Sequence, residues 1–195
     1  SPSTPDGSLD MPLRPCVFAL GAGARFVART IDTEAKIMTP ILRRAHDYKG
    51  ASFVEIYQNC PVYNDGIFEY IKNKKNAAES RLILEHGKPL LFGADNEKGI
   101  RLNSKTLKLE IVTIGENGIT EDDIVVHDET NKVLAQMLAG LKTPEFPEAI
   151  GVLYCETDVP SYTDEVYQQR IFVREKKGAA DMNALLRTGH TWTVS

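Results

Sequence analysis

The stretch at residues 51–65 constrains the fold more than any other part of the chain. Its first half, at 53–57, is a nearly continuous apolar run of the kind found in strands of sheets covered on both faces. Its second half is an abrupt polar turn in which Cys60 lies between Asn59 and Pro61. The sequence therefore predicts a buried core strand that ends in a sharp, cysteine-bearing loop.

Composition is typical of one compact globular domain. The 195 residues are 42% hydrophobic, and a chain of this length can bury most of its unfolded surface without disulfide bonds. The 23 basic and 27 acidic residues give a net charge of -4, which is too balanced to indicate a nucleic-acid partner. The chain begins at a serine in a turn-rich segment, so we expect a truncated piece of a longer subunit.

The cellular compartment of the protein is predicted from the absence of membrane, export and disulfide signals in the sequence. No apolar run approaches the ~18 residues of a membrane span, and the start of the chain does not resemble a signal peptide. The 3 cysteines lie far apart, which argues against a disulfide framework and for a reducing environment. We therefore expect a cytoplasmic protein with no membrane partner.

Strand, helix and strand in succession predict a βαβ unit. A strand is expected at 26–30, and a helix is expected from a cap at Thr33 to about Tyr48, before the strand at 53–57. Pro40 lies inside the helical pattern, so a kink, or a helix that starts at Pro40, is the alternative. Such a crossover is almost always right-handed and joins parallel strands.

Beyond Arg81 the pattern changes to short strand-like pieces separated by Gly, Asn and Lys. These pieces predict a β-rich insertion or a small antiparallel subdomain. They are residues 82–84, 89–92, 99–102 and 107–113.

The last part of the chain predicts two helices and one strand. A helix is expected at 129–141 with Asp128 as its cap, and a buried strand at 149–155. Residues 162–174 are expected to be helical, and 176–195 form a polar tail that we expect to pack on a partner.

Cys60 is the residue best suited to cofactor chemistry. Thiolates are the natural ligands of iron–sulfur clusters, and a cluster normally takes four of them. No CxxC motif accompanies Cys60, and free cysteines are mostly buried and inert, so spacing alone favours an inert residue. Cys16 and Cys155 lie in apolar runs and are expected in the core. Asn64 and Asp65 are expected to orient the loop through Asx-turn hydrogen bonds.

Other polar motifs carry weaker signals. The GAGA stretch at 21–24 lacks the third glycine of a dinucleotide loop, which would fall at Phe26, so close helix packing is the preferred interpretation. Arg25 or Arg29 could reach an anionic group, although a surface or interface ion pair is the more common role. The histidines have no zinc-site spacing, and the HDE run at 127–129 is expected to serve the N-terminus of the next helix.

Two segments resemble the thiamine-diphosphate-binding β subunit of 2-oxoacid:ferredoxin oxidoreductases, of the 2-oxoglutarate type. Residues 52–66 match the family segment SFVEIYQNCPVYNDG almost throughout, and 19–29 match a segment like ALGAGAxFVAR. A third, shorter match would be a turn at residues 1–4. The resemblance implies an α/β, Rossmann-like, mostly parallel sheet with flanking helices, truncated and carrying a small β-rich insertion. Residues 1–80 would be the C-terminal part of the cofactor domain, and 81–195 the insertion, helix, last strand and tail.

The resemblance also implies an activity, with its cofactors and partners. Enzymes of this family decarboxylate a 2-oxoacid on thiamine diphosphate and Mg²⁺, release the acyl group as its coenzyme A thioester, and pass electrons through a [4Fe-4S] cluster to ferredoxin. The implied partners are the α subunit, ferredoxin, the 2-oxoacid and coenzyme A. Cys60 matches a cluster ligand, and Asn59 and Pro61 support its turn.

The resemblance leaves parts of that site unmatched. The other three cluster ligands and the motif that holds Mg²⁺ and the diphosphate have no match in this chain. The alternative is therefore a non-catalytic assembly or interface module of the same enzyme, inactive alone. A general nucleotide-binding domain is a third possibility, which the glycine pattern hardly supports.

Overall fold

The structure, a computed structural model, describes residues 4–7 and 9–194. The turn predicted at residues 1–4 therefore lies almost wholly outside the described residues. The chain divides into two compact units, Ser1–Thr157 and Asp158–Ser195.

The described residues form seven strands, seven α-helices and one short 3-10 helix at Glu121–Asp123. The strands are β1 (Phe26–Ile31), β2 (Ser52–Tyr57), β3 (Arg81–Leu84), β4 (Leu91–Phe92), β5 (Lys98–Asn103), β6 (Lys108–Thr113) and β7 (Glu148–Cys155). The helices are α1 (Pro15–Gly21), α2 (Ala35–Asp47), α3 (Glu69–Lys72), α4 (Ala77–Ser80), α5 (Lys132–Ala139), α6 (Tyr162–Lys177) and α7 (Met182–Leu186).

A four-stranded sheet in the order β2-β1-β7-β3 forms the centre of the first unit. β1 and β2 are parallel, as are β3 and β7, whereas β1 and β7 are antiparallel. Every residue of β1 and β7 is buried, as expected for strands with neighbours on both sides. The predicted α/β class, with a mostly parallel sheet and flanking helices, is confirmed.

Helices cover both faces of this sheet. Val27 packs into a core cluster with residues of α1 and α5, whereas its neighbours Phe26 and Ala28 pack into a second cluster with Ile41 of α2. Because successive strand residues point to opposite faces, α2 lies on the face opposite to α1 and α5. The predicted βαβ unit, with α2 between two parallel strands, is confirmed.

β2 departs from the predicted buried core strand. Ser52 and Ile56 are exposed and the other four residues are only partly buried. The reason is its place at the edge of the sheet, where it pairs with β1 alone. An apolar run does not distinguish a strand with two neighbours from a strand with one.

Two predicted helix starts are wrong. α2 follows Glu34 without any side-chain cap, so Thr33 does not cap it, and the helix includes Pro40 instead of starting there. α5 begins at Lys132, because the Asn131 side chain accepts hydrogen bonds from the first-turn amides. Asp128 accepts from the amide of Thr130 in the preceding turn instead.

The HDE run preceding α5 serves tertiary contacts and not the helix. The carboxylate of Glu129 forms a two-pronged ion pair with Arg44 of α2, at 2.6 and 2.9 Å. His127 is buried, and its Nε2 lies 2.9 Å from the carbonyl oxygen of Val152 in β7. Burial lowers the pKa of His127, so the neutral ring donates this hydrogen bond.

The β-rich insertion is a three-stranded antiparallel sheet in the order β4-β5-β6. The predicted grouping of residues 82–84 with this insertion is wrong, because β3 pairs with β7 in the larger sheet. Leu82 is fully buried and Leu84 nearly so, whereas Ile83 between them is exposed. A four-residue apolar strand carries no local signal of which sheet it joins.

The second unit contains α6 and α7. α6 begins after Ser161, whose side-chain oxygen accepts from the amide of Asp164, and it confirms the helix predicted at 162–174. None of the described residues of α6 or α7 is buried. The packing of the tail on a partner stays a prediction. Within residues 4–7 and 9–194, no helix combines the length and hydropathy that a membrane crossing requires.

Candidate cluster-ligand loop

Cys60 lies three residues after the end of β2, in a loop that leads towards α3, and it is partly exposed. The amide of Asn64 donates a hydrogen bond to the Cys60 carbonyl at 3.0 Å, and the two residues form a short antiparallel bridge. Pro61 directly follows Cys60 and fixes its own φ angle. The loop therefore turns back on itself with the thiol at its start.

The side chain of Asn59 ties the beginning of this loop to its end. Its Oδ1 accepts from the amide of Gly66 at 2.9 Å, and its Nδ2 donates to Oδ1 of Asp65 at 2.8 Å. Gly66 has a φ of 78°, a conformation that costs glycine little and other residues more. Asp65 thus orients the loop as expected, but its partner is the Asn59 side chain.

Large apolar side chains stand exposed beside Cys60. Val62 is 67% exposed and Tyr63 is 63% exposed, directly after the Cys-Pro turn. Ile67, just beyond the loop, is 45% exposed. Exposed apolar groups in one cluster are typical of surfaces that meet another polypeptide.

Cys16 and Cys155 are core residues, as predicted. Both are buried, and burial raises the pKa of each thiol, which keeps it protonated. The Cys16 thiol donates a hydrogen bond to Oε2 of Glu55 at 3.1 Å. Among the described residues, no group of three or more His, Cys, Asp or Glu side chains is arranged to hold a metal ion. Of the three cysteines, Cys60 is the one that is not buried.

Arg29 anchors a buried polar network that the sequence pattern did not predict. Arg29 is 3% exposed; its Nε donates to Glu55 of β2 at 2.8 Å and its Nη1 to Glu148 of β7. The expectation of a surface or interface pair is wrong for Arg29, whose charge lies between carboxylates inside the sheet. It is confirmed for Arg25, whose Nε lies 3.4 Å from an exposed carboxylate oxygen of Glu156.

Glu148 is the best-satisfied carboxylate in the network. Besides Arg29, the Tyr57 hydroxyl donates to its Oε1 at 3.0 Å and the Thr143 hydroxyl to its Oε2 at 2.9 Å. The Tyr70 hydroxyl lies 3.5 Å from Oε2. Burial raises the pKa of Tyr57, so its phenol remains a donor. Several donors around one buried carboxylate offset much of the cost of removing it from water.

One signal in the sequence could have revealed this network. Arg29, Glu55 and Glu148 each lie within or at the start of an apolar strand segment. Charged residues are almost never fully buried unless they are paired, so charges of opposite sign inside predicted core strands imply internal pairing. Their separation in sequence, 26 and 119 residues from Arg29, hides which residues pair.

Tyr57 links the network to the Cys60 loop. It is the last residue of β2, and the Arg29 guanidinium carbon lies 5.3 Å from the centre of its ring. The Tyr57 ring also stacks on Phe68, which follows the loop, with centroids 4.5 Å apart. The strand end before Cys60 and the chain segment after it are therefore both held against buried groups, while the loop between them is exposed.

Comparison with known proteins supports the resemblance seen at residues 52–66. No family model matches the chain. It is 36% identical, over 98% of its length, to the 2-oxoglutarate oxidoreductase subunit KorB of Mycobacterium tuberculosis, of which it covers 51%. It is 32% identical over 63 residues to a 2-oxoacid:ferredoxin oxidoreductase subunit beta of Saccharolobus solfataricus, of which it covers 21%.

A solved structure shares the fold. It is a 2-oxoglutarate:ferredoxin oxidoreductase from Magnetococcus marinus with 2-oxoglutarate, coenzyme A and succinyl-CoA bound. The TM-score is 0.57 at 19% identity, covering 97% of this chain and 48% of that one. The chain spans about half the length of the full-length KorB relative and of this structure. It is therefore homologous to the β subunits of 2-oxoacid:ferredoxin oxidoreductases.

Proposed function

We propose that this chain is part of the β subunit of a 2-oxoglutarate:ferredoxin oxidoreductase and that Cys60 is one ligand of its [4Fe-4S] cluster. The enzyme would convert 2-oxoglutarate and coenzyme A to an acyl-CoA and CO₂, with the electrons passing to ferredoxin. The observation that carries the proposal is the identity of 36% to KorB across 98% of this chain. Besides 2-oxoglutarate, coenzyme A and ferredoxin, the subunit would bind the α subunit of the same enzyme.

The geometry of the loop supports a ligand role for Cys60. The thiol is partly exposed and the backbone around it is fixed by the Asn64 amide and the Asn59 side chain. A metal ligand has to be placed by the residues around it, and hydrogen bonds from residues that do not themselves touch the metal commonly do so. When bound, a [4Fe-4S] cluster supplies one-electron transfer.

The chain's own residues would have three tasks. The Cys60 thiolate binds an iron, and Asn59 holds the loop in the conformation that presents the thiol. Val62 and Tyr63, which stand exposed in the isolated chain, would exclude water from the bound group once a neighbouring polypeptide covers them. Thiamine diphosphate, Mg²⁺ and the remaining thiolates would be held by residues from the rest of the enzyme.

Anaerobic reconstitution tests this function. The chain is supplied with iron, sulfide, thiamine diphosphate and Mg²⁺, together with the α subunit and the part of the M. tuberculosis subunit that lies outside the match. We expect 2-oxoglutarate- and coenzyme A-dependent reduction of a viologen dye in this sample and none with the chain alone. Cys60→Ser should abolish the activity, whereas Cys155→Ala should retain it. Equal dye reduction by the Cys60→Ser sample would contradict the ligand assignment.

A non-catalytic assembly module of the same enzyme is the second candidate. It is favoured by the finding that the part of the chain the structure describes offers only one thiol suited to a cluster. In that case the complemented wild-type sample would assemble but show no 2-oxoglutarate-dependent dye reduction.

A further inference from the structure

The hydrogen bonds that shape the Cys60 loop join residues of the loop to one another. The Asn59 side chain reaches Asp65 and the Gly66 amide. The Asn64 amide donates to the Cys60 carbonyl. Bonds of this kind fix the conformation of the loop, but they do not fix its orientation relative to the sheet. That orientation has to come from the residues at which the chain enters and leaves the loop.

The chain enters the loop after Tyr57, which is held on several sides. Tyr57 is the last residue of β2, and its carbonyl accepts from the Asp32 amide at 3.1 Å. Its hydroxyl donates to Oε1 of Glu148 in β7 at 3.0 Å, and the guanidinium carbon of Arg29 in β1 lies 5.3 Å from the centre of its ring. The next residue, Gln58, is exposed. Tyr57 is therefore the point at which the loop departs from the buried part of the sheet.

The chain leaves the loop at Phe68, which directly precedes α3. Its ring stacks on that of Tyr57, with centroids 4.5 Å apart and an angle of 11° between the ring planes. Both rings pack against a small cluster of fully buried side chains, which are Ile31, Ile71 and Ile150. The two ends of the loop therefore meet in one aromatic pair that rests on buried apolar groups.

This aromatic pair joins the two ends of the loop directly. Offset stacking is a preferred arrangement of two aromatic rings, and it stabilises the pair beyond the area that the rings bury. Cys60 lies three residues after Tyr57, so a change at the stack displaces the thiol through a short piece of chain. A metal ligand depends on such placement by residues that do not touch the metal.

We propose that Tyr57 is a positioning residue for Cys60, because the stack of Tyr57 on Phe68 clamps the two ends of the loop and so sets where the thiolate meets the cluster. The inference rests on the proposed function, since it requires that Cys60 binds an iron. Altering a residue that orients a metal ligand lowers metal affinity by about 10–100-fold. Loss of the stack should therefore weaken cluster binding although neither ring touches the cluster.

The first measurement uses the chain alone, without iron, and follows backbone order at residues 60–66 by NMR relaxation. The order parameters should be near the rigid value of about 0.85 in the wild type and fall below about 0.6 in Tyr57→Leu. Phe68→Leu removes the same stack from the other end of the loop and should lower them equally. The matched control is Tyr48→Leu, because the Tyr48 hydroxyl also bonds to the chain, at the Glu156 carbonyl, but its ring packs on Phe26. It should leave order at residues 60–66 unchanged.

The second measurement uses the anaerobically reconstituted assembly and the concentration of an iron chelator that removes half of the bound iron. This concentration should fall by about tenfold or more in Tyr57→Leu and in Phe68→Leu. Tyr57→Phe keeps the stacked ring and loses only the hydroxyl, so it should stay within about threefold of the wild type. Tyr48→Leu should match the wild type.

Two results would overturn the proposal. Equal order parameters in Phe68→Leu and Tyr48→Leu would show that the stack does not clamp the loop. Equal resistance of these two variants to the chelator would show that the stack does not position the ligand. A wild-type assembly that binds no iron would instead contradict the proposed function, and the order parameters of the chain alone would still decide whether Tyr57 and Phe68 clamp the loop.

Discussion

The Arg29 network and the Cys60 loop both depend on β2, yet they are held in opposite ways. The network joins three strands through side chains that are almost wholly buried. The loop is held by hydrogen bonds among its own residues, from Asn59 to Gly66, and its surface is exposed. One region ties the sheet together, and the other presents a thiol to whatever lies outside.

The difference shows that family resemblance and structural importance coincide only in part. Arg29 and Glu55 lie in the two segments that carry the resemblance, 19–29 and 52–66, and together with Glu148 they join β1 to β2 and β7. Cys60 lies in the second segment too, and its carbonyl bonds to the Asn64 amide within the loop. We therefore expect substitutions in the network to act on stability and substitutions in the loop to act on cluster binding.

The largest effect on stability is expected from Arg29→Ala. The change leaves the carboxylates of Glu55 and Glu148, whose side chains are 13% and 7% exposed, without their cation. Removing one partner of a buried ion pair costs about 3–5 kcal/mol in the free energy of unfolding. Urea denaturation at pH 7 measures the change. In the matched control Arg25→Ala, where the pair with Glu156 is exposed, the cost should be about 0–1 kcal/mol.

A somewhat smaller loss is expected from Gly151→Ala in β7, opposite Arg29 in the sheet. Gly151 has a φ of 142°, and an added Cβ would lie 2.8 Å from the carbonyl oxygen of Leu84 in the neighbouring strand. Strain and overpacking together should cost about 2–4 kcal/mol, measured by urea denaturation. Gly21→Ala at the end of α1 meets no atom within 4 Å, so it should change stability by less than about 1 kcal/mol.

Asn59→Ala should have a small effect that is confined to the loop. It removes the acceptor of the Gly66 amide and the donor to Asp65. A typical hydrogen bond contributes about 0.5–1.5 kcal/mol, so hydrogen exchange at the Gly66 amide should accelerate up to about tenfold. Asp65→Ala leaves the Gly66 bond in place, and equal acceleration in both variants would contradict the role assigned to Asn59.

Strands and helices with strong apolar patterns could be predicted from the sequence. β1 and β7 are apolar throughout apart from a few polar residues, and both were found close to their predicted bounds. The starts of α2 and α5 could not be placed, because Thr33, Asp128 and Asn131 are all plausible caps by residue type. For α5, the turn in which the Asn131 amide bonds to the Asp128 carbonyl places Asn131, and not Asp128, at the start of the helix. For α2, no side chain caps the helix start.

Position within the sheet was harder to predict than the strands themselves. Nothing in the apolar run of β2 indicates that it has one neighbour, and nothing in β3 indicates that its partner is β7, more than 60 residues later in the chain. The buried pairing of Arg29 with Glu148 is non-local in the same way. The candidate ligand Cys60 came from resemblance, since no second cysteine at metal-binding spacing accompanies it.

The central claim is that Cys60 serves the cluster and not the fold. Its most direct test is Cys60→Ser in the anaerobically reconstituted assembly, read out as iron bound per chain and as the free energy of unfolding of the isolated chain. We expect most of the bound iron to be lost while the unfolding free energy stays within about 0.5 kcal/mol of the wild-type value, as for a surface change. A cluster that forms equally well in Cys60→Ser would contradict the account.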